Sequence, residues 1–219
     1  EVVARNYLIK EYPDAIINII DGTNIERNLY LSTQLIELGI PVIMAVNMMD
    51  LVKKNGDKID IKNLSNALGC EVVEISALKG TGIDEVKEKA VAAAQKKVQN
   101  KRVHSFDQAV EDAIDSVSAK LTVEERKKRF FAIKLLEKDT KIAEQMDSVP
   151  DCKDEIKALE DKFDDDTESI ITNERYVYIS SIIGQCYTKS ASGKKLTTSD
   201  KIDRIVTNRW LALPIFAVV

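Results

Sequence analysis

The segment Pro41-Val-Ile-Met-Ala-Val-Asn-Met-Met-Asp50 joins a continuous apolar run to a polar end. An apolar run of this length is typical of a strand that is covered on both faces, as in a parallel sheet. Two further runs, Asp14-Ala-Ile-Ile-Asn-Ile-Ile20 and Glu71-Val-Val-Glu-Ile75, have the same character. The sequence therefore predicts three parallel strands, over residues 14–20, 41–46 and 71–75.

Helical periodicity fills the intervals between these strands. Thr23 and Glu26 have the spacing of a capping box, which predicts that a helix starts near Asn24. Strands that alternate with helices of this length form a parallel α/β sheet with crossover connections. In chain order, the expected helices cover residues 1–10, run from near Asn24 to a stop at Gly39-Ile-Pro41, span Ile61 to Leu68 before Gly69, and begin again after Gly82.

From Phe106 to Lys189 the chain is charged and its apolar residues recur at helical intervals, so this half is predicted to be all-helical. Thr122 and Glu125 repeat the capping-box spacing and predict another helix start. The triplet Asp164-Asp-Asp166 lacks EF-hand spacing, so we interpret it as a solvated helix face or a helix end rather than a cation site. The clearest apolar stripes are Phe106, Val110, Ile114 and Val117, and Ile156, Leu159 and Phe163.

The chain ends in ten consecutive apolar residues, Trp210-Leu-Ala-Leu-Pro-Ile-Phe-Ala-Val-Val219. A membrane-spanning helix needs about 20 such residues, so we interpret this run as the start of a transmembrane helix. The alternative is a terminal strand or helix that packs into a core. Residues 190–209 are expected to form a linker and a juxtamembrane elbow. Their Lys and Arg residues predict that this side of the membrane is cytoplasmic.

Charge, cysteine and histidine content exclude several classes of protein. The net charge of −4 and the pI near 5.3 argue against a nucleic-acid partner, because phosphate neutralisation needs clustered Lys and Arg. Cys70, Cys152 and Cys186 fit neither a disulfide framework nor a zinc pattern, and we expect reduced cytosolic thiols. His104 is the only histidine, which argues against a histidine-based metal site. We therefore assign no metal ligand in this chain.

Polar residues follow the second and third predicted strands. Asn47-Met-Met-Asp50 comes directly after one apolar run, and Ile75-Ser-Ala-Leu-Lys-Gly80 ends the next. Ligands of parallel α/β sheets bind at the carboxyl ends of the strands. Both segments are therefore expected at the functional edge of the sheet.

The residue types at this edge suit recognition of guanine. A carboxylate at Asp50 can accept two parallel hydrogen bonds, one from the ring N–H and one from the exocyclic amine. Adenine presents a ring acceptor instead, and a site built for one hydrogen-bond pattern rejects the other by roughly 10⁴–10⁵. Asn47 can tie the two loops together, and the backbone N–H after Ser76 can donate to the guanine carbonyl oxygen.

The alternative interpretation is that Asp50 and Ser76 only cap the adjacent turns. The paired placement at two strand ends favours base recognition, and no catalytic residue is assigned. The predicted nucleotide-binding residues are Asn47, Met48, Met49, Asp50, Ile75, Ser76 and Ala77.

At these residues the chain resembles a translation-factor-related GTPase. A narrower resemblance is to the FeoB family, bacterial ferrous iron transport protein B, and it is carried by residues 23–35 and 199–216. These read Thr-Asn-Ile-Glu-Arg-Asn-Leu-Tyr-Leu-Ser-Thr-Gln-Leu and Ser-Asp-Lys-Ile-Asp-Arg-Ile-Val-Thr-Asn-Arg-Trp-Leu-Ala-Leu-Pro-Ile-Phe. The resemblance implies a P-loop NTPase-like α/β domain, an all-α helical domain similar to a nucleotide-dissociation inhibitor, and a ferrous iron permease. The expected division is a partial G domain over 1–99, the helical domain over 100–189, the linker over 190–209 and a truncated membrane segment over 210–219.

Two departures from the GTPase pattern limit what this chain is expected to do. No G-x-x-x-x-G-K-[ST] motif occurs, and Ser192-Gly-Lys-Lys195 lacks the required Ser or Thr. The resemblance implies that the phosphate loop, the Mg²⁺ ligands and both switches precede Glu1, so this fragment alone is expected not to hydrolyse GTP. Met48 stands where most GTPases of this superfamily carry Lys, which predicts weaker nucleotide binding and faster release in the intact protein than for a Lys-bearing GTPase.

The leading hypothesis is a GTP-binding module whose GTP binding and hydrolysis regulate Fe(II) uptake by a multi-pass transporter. Its partners would be GTP or GDP, the permease part of the same polypeptide and the transported Fe(II), at the cytoplasmic face of the bacterial inner membrane. A homo-oligomer is compatible with the sequence. The alternatives are a soluble ribosome- or RNA-associated GTPase and a non-enzymatic helical docking fragment.

Overall fold

The computed structural model describes residues 2–96 and 104–190. The first of these ranges alternates helices and strands, and the second is mainly helical. The elements of the first range are α1 Val2–Glu11, β1 Ile16–Asp21, α2 Ile25–Glu37, β2 Val42–Asn47, α3 Met49–Lys54, β3 Lys58–Ile59, α4 Ile61–Leu68, β4 Glu71–Glu74 and α5 Ile83–Lys96. Those of the second are α6 Gln108–Lys120, α7 Glu125–Leu136, α8 Thr140–Ala143, α9 Lys153–Phe163, α10 Thr167–Cys186 and β5 Tyr187–Thr188.

The sheet is parallel, as predicted, with the strand order β1-β2-β4. Ile16 of β1 pairs with Val42 of β2, and the register continues to Asp21 opposite Asn47. Each strand lies within a residue or two of its predicted range. Because all three strands run the same way, their carboxyl ends reach one edge of the sheet, where the predicted site residues lie.

The two faces of β1 differ in burial. Ile16 and Ile20 are buried under α2, whereas the side chains of Ile17 and Ile19 on the opposite face are 45% and 63% exposed. On that opposite face α5 packs on β2, on β4 and on part of β1, through a small cluster that includes Val86. Among the described residues, β1 pairs with β2 alone, so its other edge is open.

Helix ends follow local chemistry, which the sequence predicted only in part. Gly69 adopts φ 68° and ends α4, as expected. Helix α2 begins at Ile25, next to Asn24 as predicted, but Thr23 forms no capping box, because the Asp21 carboxylate accepts from the Thr23 N–H at 2.8 Å and from its hydroxyl at 2.7 Å. A short 3-10 turn, Gly22–Asn24, therefore precedes α2.

The second capping box, Thr122 with Glu125, is also wrong: α7 begins at Glu125 itself, after Glu124. The acidic triplet, by contrast, marks two helix ends as interpreted. Asp164 ends α9 in the left-handed region, and the Asp166 carboxylate accepts from the Ser169 N–H at 3.0 Å at the start of α10.

The strand β5 was not predicted. It follows α10 directly and pairs antiparallel with β3, so the helical half of the chain returns to the sheet half. Asp57, beside β3, accepts hydrogen bonds from the Tyr187 hydroxyl and the Ser190 N–H, both at 2.8 Å. We name Asp57, Tyr187 and Ser190 the return clasp.

A second junction between the two halves is ionic and buried. The Arg175 side chain on α10 has no exposed surface; it donates to Glu37 on α2, with its Nη2 atom 2.8 Å from Oε2, and also contacts Glu137, the residue directly after α7. Glu137 is in turn held by Lys134 Nζ at 2.6 Å. We name Glu37, Lys134, Glu137 and Arg175 the buried ion cluster. One apolar core runs through both halves around it.

Among the described residues, no helix is both long enough and apolar enough to cross a membrane. The predicted membrane segment over 210–219, and the linker and elbow apart from Ser190, lie outside the described residues.

Candidate functional site

The loop after β2 is shaped by a left-handed residue. Met48 has φ 63° and ψ 24°, which turns the chain from the end of β2 directly into α3. Its side chain is 39% exposed, whereas Met49 is buried at 4%. The N–H of Met49 donates to the Ile75 carbonyl oxygen at 3.3 Å. The loops after β2 and β4 are thus joined through the backbone.

Asn47 joins the same two loops through its side chain. Its Oδ1 accepts a hydrogen bond from the Ala77 N–H at 3.0 Å, as the prediction that Asn47 ties the loops together requires. The same bond changes one detail of the prediction. The Ala77 N–H, expected to donate to a guanine carbonyl oxygen, already donates to Asn47 in this structure.

Asp50 lies in the first turn of α3, with 18% of its side chain exposed. Its Oδ1 accepts from the Ser76 hydroxyl at 3.1 Å, and its Oδ2 lies 3.4 Å from Lys79 Nζ. Desolvation raises the pKa of Asp50, but the hydrogen bonds from Ser76 and Lys79 outweigh it and hold the pKa below its usual range. The carboxylate is therefore ionised at neutral pH and accepts hydrogen bonds.

The loop after β4 is closed on itself. Ser76 and Thr81 exchange two backbone hydrogen bonds of 3.1 and 3.2 Å across the Ala77–Lys79 turn. Gly82 has φ 77°, and a Cβ there would lie 2.2 Å from the Glu74 carbonyl oxygen, so a larger residue does not fit. This closure presents Leu78, 92% exposed, and Lys79 at the rim of the site.

Gly22, after β1, brings the third strand end to the same edge. A Cβ on Gly22 would lie 2.9 Å from the Asn47 carbonyl oxygen and 3.1 Å from Val46 Cγ1. The loop therefore packs directly against the end of β2. This contact was not predicted from the sequence, although a glycine directly after a buried strand was the signal for it.

The structure brings together every predicted site residue: Asn47, Met48, Met49 and Asp50 after β2, and Ile75, Ser76 and Ala77 after β4. Lys79 was not predicted, because its contact with Asp50 joins residues far apart in the sequence. Chemically, the site offers an ionised carboxylate, an amide and an apolar methionine at one sheet edge. This set can accept hydrogen bonds from a planar base.

The cysteines lie away from this edge and are free and buried. Burial raises the pKa of the Cys70 thiol to about 12 and also raises the pKa values of Cys152 and Cys186. All three thiols therefore remain protonated at neutral pH and are poor nucleophiles.

Family models match both halves of the chain. The model described as ferrous iron transport protein B matches residues 1–90, and the model of the FeoB cytosolic helical domain matches residues 106–188. Among curated proteins, the chain is 33% identical to the Fe(2+) transporter FeoB of Salmonella typhimurium and 32% identical to that of Escherichia coli. Both matches cover 100% of this chain and 28% of the relative.

Solved structures give the same result. The chain is similar to an S. thermophilus NFeoB mutant bound to GDP, with 41% identity and a TM-score of 0.80 over 85% of this chain and 74% of that one. It is also similar to S. thermophilus NFeoB bound to mGMPPNP, with 40% identity and a TM-score of 0.78 over 89% and 74% of the two chains. With matching sequence, matching fold and both family models in order, the chain belongs to the FeoB family, of which it carries part of the GTPase domain and the cytosolic helical domain.

Proposed function

We propose that this chain is part of the GTP-binding module of a bacterial ferrous iron transporter, and that Asp50 reads the guanine base. The observation that carries the proposal is the ionised Asp50 carboxylate, held by Ser76 at the edge where Asn47 joins the two loops. The relatives bound to GDP and to mGMPPNP support a guanine nucleotide as the ligand.

In this proposal Asn47 and Ser76 position the pocket, and Met48 covers one face of the base. Ile75, Ala77 and Met49 supply the backbone that holds the two loops at a fixed distance. Guanine then presents its ring N–H and its amine to the carboxylate. Adenine has no amine at the position where guanine carries one. The same carboxylate therefore excludes adenine.

The chain spans about 28% of the length of the curated relatives, so the activity of the whole protein is also a proposal. GTP hydrolysis requires a phosphate loop, and the sequence of residues 1–219 contains no G-x-x-x-x-G-K-[ST] motif to supply it. The open edge of β1 and the exposed Ile17 and Ile19 leave room for a further strand and helix.

Mg²⁺ is expected with the phosphates. Among the described residues, no three or more His, Cys, Asp or Glu side chains form a group that could hold a metal ion. We place the magnesium ligands with the phosphate loop, as the family resemblance implies. The base-reading residues of this chain act without contact to the metal.

We further propose that GTP binding and hydrolysis regulate Fe(II) uptake at the cytoplasmic face of the inner membrane. The G domain would extend over 1–99 and the helical domain over 100–189, consistent with family-model matches over 1–90 and 106–188. The permease part of the polypeptide would follow the linker. Neither a ribosome-associated GTPase nor a helical docking fragment is favoured by this family membership.

Asp50→Asn in a complete protein with its phosphate loop tests base recognition. The amide donates where the carboxylate accepted, so GDP affinity should fall by about tenfold or more, and xanthosine diphosphate should bind better than to the unaltered protein. Competition titration of both nucleotides measures this. Asp84→Asn, at a side chain that is 89% exposed, is the matched control and should change neither affinity. An unchanged preference for GDP in the Asp50 variant would show that Asp50 is not the base reader.

A further inference from the structure

The ammonium group of Lys79 pairs with one carboxylate oxygen of Asp50, and the Ser76 hydroxyl donates to the other. Its Nζ lies 3.4 Å from Asp50 Oδ2, while the Ser76 hydroxyl takes Oδ1. Resting on the base-reading role proposed above, we propose that Lys79 competes with the guanine ring for Asp50, and that nucleotide binding exchanges this ion pair for hydrogen bonds to the base.

The closed loop after β4 fixes the backbone of Lys79 beside Asp50. The Lys79 N–H donates to the Ser76 carbonyl oxygen at 3.1 Å, and Gly80 in the left-handed region ends the turn. The side chain itself is 60% exposed, so it can swing into solvent without uncovering a buried surface. The backbone of Lys79 is therefore fixed, whereas its ammonium group can move.

The neighbouring lysine on α3 does not share this role. Lys53 Nζ is held by Glu74 Oε2 at 2.5 Å, at the side of β4. Of the cations described next to the site, Lys79 is the one that an ion pair joins to Asp50.

In this exchange the Asp50 carboxylate loses its ion pair with Lys79 and gains hydrogen bonds from guanine. A carboxylate oxygen accepts more than one hydrogen bond, so Ser76 keeps its bond to Oδ1 while one guanine donor joins it there and the other replaces the ammonium at Oδ2. Exposed ion pairs contribute little, and the competition is therefore expected to change binding by about two- to fivefold rather than by orders of magnitude. Because Lys79 pairs with Asp50 before the base enters, the competition lowers the association rate of the nucleotide and leaves its dissociation rate unchanged.

Lys79→Met in the complete protein tests this, because methionine keeps the unbranched stem and removes only the charge. Stopped-flow binding of a fluorescent GDP analogue should give an association rate about two- to fivefold higher, with an unchanged dissociation rate. Lys79→Arg should behave like the unaltered protein. Raising the salt concentration should bring the rates of the unaltered protein and the methionine variant together, since salt screens the ion pair.

Lys87→Met is the matched control, because Lys87 pairs with the exposed Asp84 at 2.9 Å and its loss changes the net charge equally. An equal effect in both lysine variants, an effect confined to the dissociation rate, or no effect would overturn the competition. Asp50→Asn separates this failure from failure of base recognition. If it shifts preference toward xanthosine diphosphate, base reading stands, and adding Lys79→Met to it should have no further effect.

Discussion

Met48 combines an unusual backbone with an exposed apolar side chain. A non-glycine residue in the left-handed region costs about 1 kcal/mol or more, and the loop keeps this conformation because it turns β2 into α3 at once. The side chain, 39% exposed, is left over the site rather than in the core. Methionine offers a flexible apolar cover but no charge.

Met48→Lys is expected to slow GDP release in the complete protein, because a lysine stem covers the base equally well and its ammonium can reach a phosphate-side acceptor. Dissociation of a fluorescent GDP analogue measures the change. Leu51→Lys adds the same charge one turn along α3, at a residue that is 41% exposed, and should leave release unchanged. Equal rates for the Met48 variant and the unaltered protein would contradict the role of residue 48.

At the residue scale, the sequence predicted the site residues that follow two apolar runs, because strand ends are local features. Asn47, Asp50 and Ser76 all lie where the pattern indicated. Gly22 was missed because it reaches the site from the loop after β1, and Lys79 because only the closure of its own loop brings its ammonium group to Asp50. Which carboxylate Lys79 meets depends on the closure of a whole loop, and no local pattern records that.

At the scale of secondary structure, the return clasp joins the end of α10 to the loop behind α3. Asp57 accepts from both Tyr187 and Ser190, so one carboxylate holds the last described residues against the loop that follows α3. The pairing of β3 with β5 is only two residues long. A strand this short has no alternating pattern, which explains why the sequence did not predict it.

Asp57→Ala is expected to lower the free energy of unfolding by about 1–2 kcal/mol, because it leaves a phenol and a backbone N–H without their acceptor. Denaturant unfolding followed by circular dichroism measures this. Asp84→Ala, at an exposed carboxylate, should be close to neutral. Equal stability of the two variants would mean that the clasp contributes nothing.

The return clasp also makes the free energy of unfolding depend on pH, through Tyr187. Burial first, and then the hydrogen bond to Asp57, raise the pKa of Tyr187 to about 12. The unfolded chain loses this proton near pH 10, so Tyr187 contributes its full stability below that pH. The contribution is lost as the pH rises toward 12, because the unfolded state then binds fewer protons than the folded state.

At the scale of the whole molecule, the buried ion cluster holds the helical half on the sheet half. Burial lowers the pKa of Arg175, but the charges of Glu37 and Glu137 more than offset this, so its pKa lies above the usual value. The guanidinium therefore stays charged with no exposed surface. The sequence predicted a G-domain part and a helical part, but not this junction, whose members lie on three different helices.

Arg175→Met is expected to lower the free energy of unfolding by about 3–5 kcal/mol, because it removes the guanidinium that pairs with Glu37 and leaves Glu137 with Lys134 alone. The double variant Arg175→Met with Glu37→Gln should recover part of this loss, since Glu137 keeps Lys134. Arg126→Met, at a side chain that is 45% exposed, is the control. Strictly additive losses in the double variant would contradict the ionic origin of the effect.

The open edge of β1 also gives this polypeptide a use as one partner of a split protein. A free edge with unpaired N–H and C=O groups is a template for an incoming strand. Ile17 and Ile19 offer an apolar surface on which a helix connected to that strand can pack. We expect a separately supplied peptide of matching strand character to dock at this edge in trans. The extent of docking would then be set by the peptide concentration.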